Sequence, residues 1–400
     1  MKTDIKLQLI VFALVAAAFT TIYITQPVLP VLLAEFSTTL IRVSMTVSMV
    51  ILGMAISNLP FGFLADRFPI RPIILIGGLM VATFGLICAL ANDIRFLIAA
   101  RFLQGLFIPS MTTCIAAYLA KTLPAEKLNM VMGSYVSATV LGGMTGRLIG
   151  GLIRPPLNWR HALVAASILV LVAVISAYKG LPRTVTESAH DEEAGGFQKF
   201  MGRGDLLRIY FCGAGSFAIF SSIFNYLPFR LTSAPFNYST QRTTLLYLVY
   251  VVGIFMGPLA GKASNRFGTG RTMLLGTFIL CGALAMILFP SITMVISGLV
   301  FLCAGFFAIH TSAVGALNQK LKTGQGTANA VYVLFYYLGG WLGITLSGFF
   351  YKIGGFPALV WFCIFFCPFP WSQAFLRLET LKPFAYKCSY EFSGRPCVSI

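Results

Sequence analysis

Eleven apolar stretches, each close to the length needed to cross a bilayer, follow one another from residue 7 to residue 351. They occupy residues 7–33, 43–63, 73–90, 96–119, 128–153, 162–178, 209–231, 243–260, 273–289, 294–317 and 328–351. A helix needs about 20 apolar residues to traverse hydrocarbon, and every backbone N–H and C=O there must find its partner within the segment. The stretches must therefore be helices, because the short alternating segments of a barrel are absent. With 58% hydrophobic and only 10% charged side chains, and a mean hydropathy of +0.85, the chain carries more apolar surface than a soluble core could hide. It reads as an all-α integral membrane protein.

The formal charge of +17 does not indicate a nucleic-acid partner, because the Lys and Arg residues cluster between the apolar runs as topology determinants do. With the N-terminus on the cytoplasmic side, sixteen of them, Lys2, Arg67, Arg71 and Lys121 included, fall in inside loops and seven in outside loops. That bias predicts a multi-pass protein of a bacterial-type inner membrane with a cytoplasmic N-terminus. The first apolar run is too long for a signal peptide and lacks a small-residue cleavage site. The nine cysteines show no metal spacing, and five of them lie inside spans, where a thiol acts as a small hydrophobe. No metal, cofactor or disulfide is expected. The chain has no phosphate-binding G-x-x-x-x-G-K-[ST] loop, no H-E-x-x-H and no G-x-S-x-G. The expectation is a carrier driven by a gradient, and not an enzyme.

One polar connection, residues 179–208, divides the chain into six spans and six, the twelfth being a short apolar run at 357–367. It separates an N-terminal bundle (1–178) from a C-terminal bundle (209–367), with an irregular tail at 368–400. Sequence matches recur across this divide. Gly62, Asp66, Arg67 and Phe68 return as Gly261, Asn265, Arg266 and Phe267, 199 residues later. Leu29 and Pro30 return as Leu227 and Pro228 at an offset of 198, and Gly142, Gly143, Gly146 and Gly151 return as Gly339, Gly340, Gly343 and Gly348 at 197. Three patterns in register argue for duplication, and parallel halves that rock about a midplane site are a carrier architecture.

The loop after the second span runs Gly62-Phe63-Leu64-Ala65-Asp66-Arg67-Phe68-Pro69-Ile70-Arg71. Here the chain resembles the major facilitator superfamily, whose signature is G-x-L-A-D-R-x-G-R-R/K, with Pro69 standing where the family has Gly. Leu97, Arg101, Gln104 and Gly105 match a second signature, L-x-x-x-R-x-x-Q-G. Gly133, Gly142, Gly146, Gly150 and Gly151 occupy every glycine of the antiporter signature G-x8-G-x3-G-P-x2-G-G, with Arg147 in place of its proline. The resemblance covers residues 7–361. It implies two pseudo-symmetric six-helix bundles and a proton-coupled carrier, similar to bacterial twelve-span drug or sugar efflux permeases. It also implies a gating loop made of Gly62, Asp66, Arg67 and Arg71, with Asn265, Arg266 and Arg271 as repeat counterparts.

Arg101 and Arg147 lie inside spans, where a cation needs a partner or a wet cavity. Together with Gln104, His310 and Glu35 they are candidates for proton handling or cavity electrostatics. Snorkelling is the alternative for Arg101, and a hydrogen bond to a neighbouring helix is the alternative for His310. The glycines serve either helix packing or antiport. Tyr23, Gln26, Asn225, Tyr226 and Tyr336 are candidates to face a substrate, with packing or an interfacial belt as the other reading.

No acidic residue falls in mid-span, so the cavity leans positive and suits neutral or anionic solutes better than cations. Two transport readings result. One is proton-coupled efflux of a small organic solute, such as a sugar derivative or drug-like compound. The other is import or facilitation of a neutral or anionic metabolite. The partners expected are the lipid bilayer, a small molecule and protons, with the chain a monomer. Residues 358–366 are too few to cross the bilayer, so the twelfth helix is expected to be incomplete. An altered or frameshifted C-terminus, and hence an inactive transporter, is the third reading.

Overall fold

The computed structural model of the chain describes residues 2–153, 157–182, 200–321, 324–365 and 367. Every regular element among them is helical. The second to fourth spans are single helices, Leu40–Arg67, Ile70–Ala89 and Ile94–Thr122, as are the sixth and seventh, Trp159–Gly180 and Gly204–Thr232. The ninth and tenth are Thr269–Leu288 and Ile292–Gln319. Ten helices among the described residues are long and apolar enough to cross a membrane. The fifth span, Ala125–Leu152, is not one of the ten, although the sequence places a span there. Its glycines, Ser and Thr residues and Arg147 dilute the aliphatic content, which is tolerable for a helix whose long face meets protein.

Two spans are broken, and the first break has a local cause. The first runs as a helix over Lys2–Tyr23, tightens into a 3-10 turn at Gln26–Val28 and resumes at Leu29–Glu35. Pro27 and Pro30 supply no N–H to the preceding turn, so the ladder cannot continue through them. The eighth has a helical turn at Thr240–Leu245, a 3-10 stretch at Leu246–Val251 and a helix at Val252–Phe267. In a 3-10 helix residues three apart eclipse, so Tyr247 and Tyr250 project from one edge. The last helix, Gln325–Phe365, departs from helical geometry at Gly354 and at Gly355, whose φ of 64° is a glycine conformation. This break separates the eleventh span from a short helical piece that reaches Phe365. The tail for which an altered reading frame is expected, and most of the polar linker, lie outside the described residues.

The duplication has a structural counterpart. A Cβ added to Gly142 or Gly146 would stand 2.4 Å from the Ala16 carbonyl oxygen or 2.2 Å from that of Thr20. In the other half, one on Gly339 would stand 2.3 Å from the Ala214 oxygen and one on Gly343 2.6 Å from that of Ala218. In each half the glycine-rich span thus presses its backbone onto that of the half's first span.

We call the end carrying Arg67, Lys121, Lys179 and Arg266 the basic end, and its opposite the far end. The halves meet toward the far end. Gly151 abuts Thr244 and Pro27, Gly348 abuts Tyr226 and Ile41, and Thr345 Oγ1 donates to Ser48 Oγ at 3.5 Å. Toward the basic end, a Cβ on Gly62, Gly133, Gly204, Gly261 or Gly326 would meet nothing within 4 Å. The ion pairs described there stay within one half: Lys121–Asp66 at 2.9 Å in the first, and Asp205 with Arg203 at 2.9 Å and Lys320 at 3.5 Å in the second.

Candidate functional site

The break in the first span decides the surroundings of both buried arginines. A helix that stops at Tyr23 leaves its last carbonyls without intrahelical donors, and Arg101 fills that gap. Its Nη1 donates to the Thr21 carbonyl at 2.9 Å and to Gln104 Oε1, and its Nη2 donates to the Ile22 carbonyl at 2.6 Å. Its Nε reaches the Thr46 carbonyl of the second span at 2.9 Å, and Gln104 Nε2 donates to the Val81 carbonyl of the third at 3.0 Å. Arg101 is fully buried. It does not snorkel, and together with Gln104 it ties four spans of one half.

Arg147 lies elsewhere and is held differently. It is also buried, yet among the described residues no carboxylate pairs with it. Its Nε donates to Gln26 Oε1 at 2.6 Å and its Nη1 to the Gly143 carbonyl at 2.7 Å. Three tyrosine rings surround the guanidinium, Tyr23 at 3.9 Å, Tyr250 at 4.2 Å and Tyr247 at 5.3 Å from ring centroids. Cation–π attraction partly replaces the missing counter-ion, at about 2 kcal/mol for a desolvated contact. Tyr23 and Gln26 come from the first half, and the other two rings come from the 3-10 edge of the eighth span. The cage therefore bridges the halves.

Some of the buried polar atoms without partners lie on the same or adjoining segments. Gln26 Nε2, Tyr250 Oη, Thr243 Oγ1 and both amide atoms of Asn225 are buried and unbonded. Each such atom costs about 1–3 kcal/mol. Gln26 and Tyr250 touch Arg147 directly, so part of this unmet hydrogen-bonding capacity lies beside the guanidinium.

An aromatic wall continues from the cage into the second half. Phe220 stacks on Phe306 at 4.0 Å and Phe217 on Tyr336 at 3.9 Å. His310 stacks on Phe306 at 5.9 Å, and its Nδ1 lies 2.8 Å from the Tyr332 hydroxyl. His310 and Tyr336 are half-buried.

Other residues singled out from the sequence fall away from this site. Tyr226 is fully buried and donates to the Ile344 carbonyl at 2.9 Å, an internal tie between the seventh and eleventh spans. Glu35 accepts from Trp159 Nε1 at 2.7 Å and Arg160 Nη1 at 2.6 Å, a clamp at the far end. Asp66 pairs with Lys121 of its own half, Arg67 covers the Phe63 ring at 4.0 Å, and Arg71 donates to the Tyr178 carbonyl. On the repeat side, Arg266 covers Phe267 at 5.2 Å. Asn265 and Arg271 sit on either side of the Gly268 turn at the basic end. Within the glycine series, Gly142, Gly146, Gly150 and Gly151 are in close contact, and Gly133 is not. Gly133 lies on an open face of the fifth span, while its neighbour Val131 is buried. Tyr247 and Tyr250 were legible only as two tyrosines three residues apart in an apolar run.

Two half-bundles joined at one end, an arginine cage that bridges them and the two signature matches agree with the sequence profile of the Major Facilitator Superfamily, which matches residues 11–344. The chain belongs to the Major Facilitator Superfamily. Among its relatives, the inner membrane transport protein YnfM of Escherichia coli is 30% identical over 369 residues, 89% of this chain and 88% of that one. The MFS-type transporter YybF of Bacillus subtilis is 25% identical over 86% of this chain and 87% of its own length. Among solved structures, an inward-facing, unoccupied bacterial homologue of the lysosomal transporter Spinster superposes with a TM-score of 0.75 at 15% identity, covering 94% of this chain and 98% of that one. The nucleoside transporter NupG gives 0.76 at 10% identity, covering 94% and 99%. This chain is accordingly a multi-pass membrane transporter that binds small molecules, and it is not an enzyme.

Proposed function

We propose that this transporter carries small organic anions, or solutes rich in hydrogen-bond acceptors, by alternating access, with Arg147 as the anchor for the acceptor group. One observation carries this reading: a buried guanidinium with no carboxylate partner, ringed by three tyrosines from both halves. A solute carboxylate or phosphate would supply the missing counter-charge, and its apolar part would lie along the Phe217, Phe220 and Tyr336 wall. Because the cage draws on both halves, rocking of one against the other would take it apart. Binding and release would thus be tied to the conformational change.

Proton-coupled efflux is the preferred direction and coupling. The support is the antiporter-like glycine series of the fifth span, packed on the first, and the half-buried His310, an ionisable side chain beside the Phe306 and Tyr336 rings. Outward movement of an anion and inward movement of a proton both run with a membrane potential that is negative inside. The loop charges favour a cytoplasmic basic end, so the conformation described would open inward. Import or facilitated entry of a metabolite is the second reading, and the lack of any mid-span carboxylate for proton exchange favours it.

The test is electrical recording on proteoliposomes challenged with a panel of carboxylates, sugar phosphates, neutral sugars and organic cations. Saturable charge movement with anions, lost in Arg147→Gln, is the result expected. Responses confined to cations, or unchanged in Arg147→Gln, would refute the anion reading. Transport indifferent to an imposed pH gradient would refute proton coupling alone.

A further inference from the structure

The second and fourth spans cross closely and then separate. At the crossing, a Cβ on Gly53 would lie 2.6 Å from the Phe102 carbonyl oxygen and one on Gly105 2.3 Å from that of Val50. Toward the far end the helices splay, leaving a groove of 450 Å³ lined by Arg42, Met45, Met49, Arg95, Ile98, Ala99 and Phe102. The lining follows helical spacing. Met45 and Met49 stand three and seven residues beyond Arg42, and Ile98, Ala99 and Phe102 stand three, four and seven beyond Arg95, so each helix gives one stripe headed by an arginine. Seven residues of helix make the apolar slot about 10 Å deep below the arginines.

Both arginines are exposed and neither takes part in an ion pair among those described. The nearby Asp93 is engaged otherwise, with its Oδ1 accepting from the backbone N–H groups of Arg95 and Phe96. Two helix starts point their positive ends at the same mouth. Exposed cations at the polar boundary, above a slot walled by flexible thioethers and one aromatic ring, match an amphiphile with an anionic head and an alkyl chain.

We propose that this groove is a binding site for one anionic phospholipid. Its phosphate would lie between the Arg42 and Arg95 guanidinium groups, and one acyl chain would fill the slot down to Met49 and Phe102. A zwitterionic lipid offers the same phosphate but cancels its charge, so selectivity should follow net charge. None of its lining residues belongs to the Arg147 cage, and the site does not depend on the cargo.

The experiment is a titration of the purified full-length transporter in detergent with phosphatidylglycerol, phosphatidylcholine or inorganic phosphate, read by native mass spectrometry. One tightly held phosphatidylglycerol is expected, with affinity falling roughly fivefold for R42Q or R95Q and roughly thirtyfold for the double variant. Met49→Trp, which fills the slot and keeps both arginines, should also displace the lipid. The thermal midpoint without lipid reports whether each variant is folded. Equal affinity for phosphatidylcholine, undiminished binding in the folded double variant or in Met49→Trp, or competition by inorganic phosphate at lipid-like concentration would each overturn the proposal.

Discussion

Two buried arginines in one bundle have opposite circumstances, and the difference sets what substitution should do to each. Arg101 gives four hydrogen bonds to groups that a broken helix and its neighbours leave open. Arg101→Met should remove them all and lower stability by about 3 kcal/mol, seen as a reduced thermal midpoint and poor yield from membranes. Arg101→Lys should rescue only in part, since one ammonium cannot span carbonyls on two helices. Arg147, held by two hydrogen bonds and three rings, should behave otherwise. Arg147→Lys keeps the charge but loses the planar fork and the stacking. The expected outcome is an apparent KM for anionic cargo raised roughly tenfold, with a thermal midpoint near the parent's, measured by transport assay and melting of the same preparation.

Among the elements, the fifth span is the one whose composition and task agree most closely. Glycine is costly in a helix interior, by about 1 kcal/mol against Ala, yet here it permits backbone contact with the first span. Gly146→Ala should push its new methyl against the Thr20 carbonyl oxygen, only 2.2 Å from the Cβ position, and weaken both folding and transport. Gly133→Ala meets nothing within 4 Å and should be neutral or slightly stabilising. A pair of melting curves decides this. Equal loss in both would mean that composition, and not contact, governs the helix. The eighth span makes a related point, because its 3-10 stretch aligns Tyr247 with Tyr250 and so finishes the Arg147 cage.

For the whole molecule, closure at the far end is the arrangement that alternating access must undo. Ser48 and Thr345 face each other across the halves at 3.5 Å between hydroxyl oxygens. A double cysteine variant, S48C with T345C, should cross-link on mild oxidation and lock that end shut. Transport should stop on oxidation and return on reduction, and persistence of transport in the cross-linked protein would contradict a rocking motion about this interface.

Much of this was legible in the chain itself. Span-length apolar runs force helices because lipid offers the backbone no partners, and repeats at offsets of 197 to 199 residues announce two like halves. The two embedded arginines were also visible, since a cation in an apolar run is costly wherever it points. Which partner each one meets was not. Arg101 meets carbonyls at the end of the first helix and on the second span, and Arg147 meets two rings brought over by the other half. Tyr226 and Glu35 looked suited to the cavity by residue type, but helix rotation turned one into an internal tie and helix position put the other in a far-end clamp. Periodicity and composition act along the chain and so fix segments. The direction a side chain faces and the company it keeps are set by packing between segments far apart in sequence, and only the assembled bundle decides them.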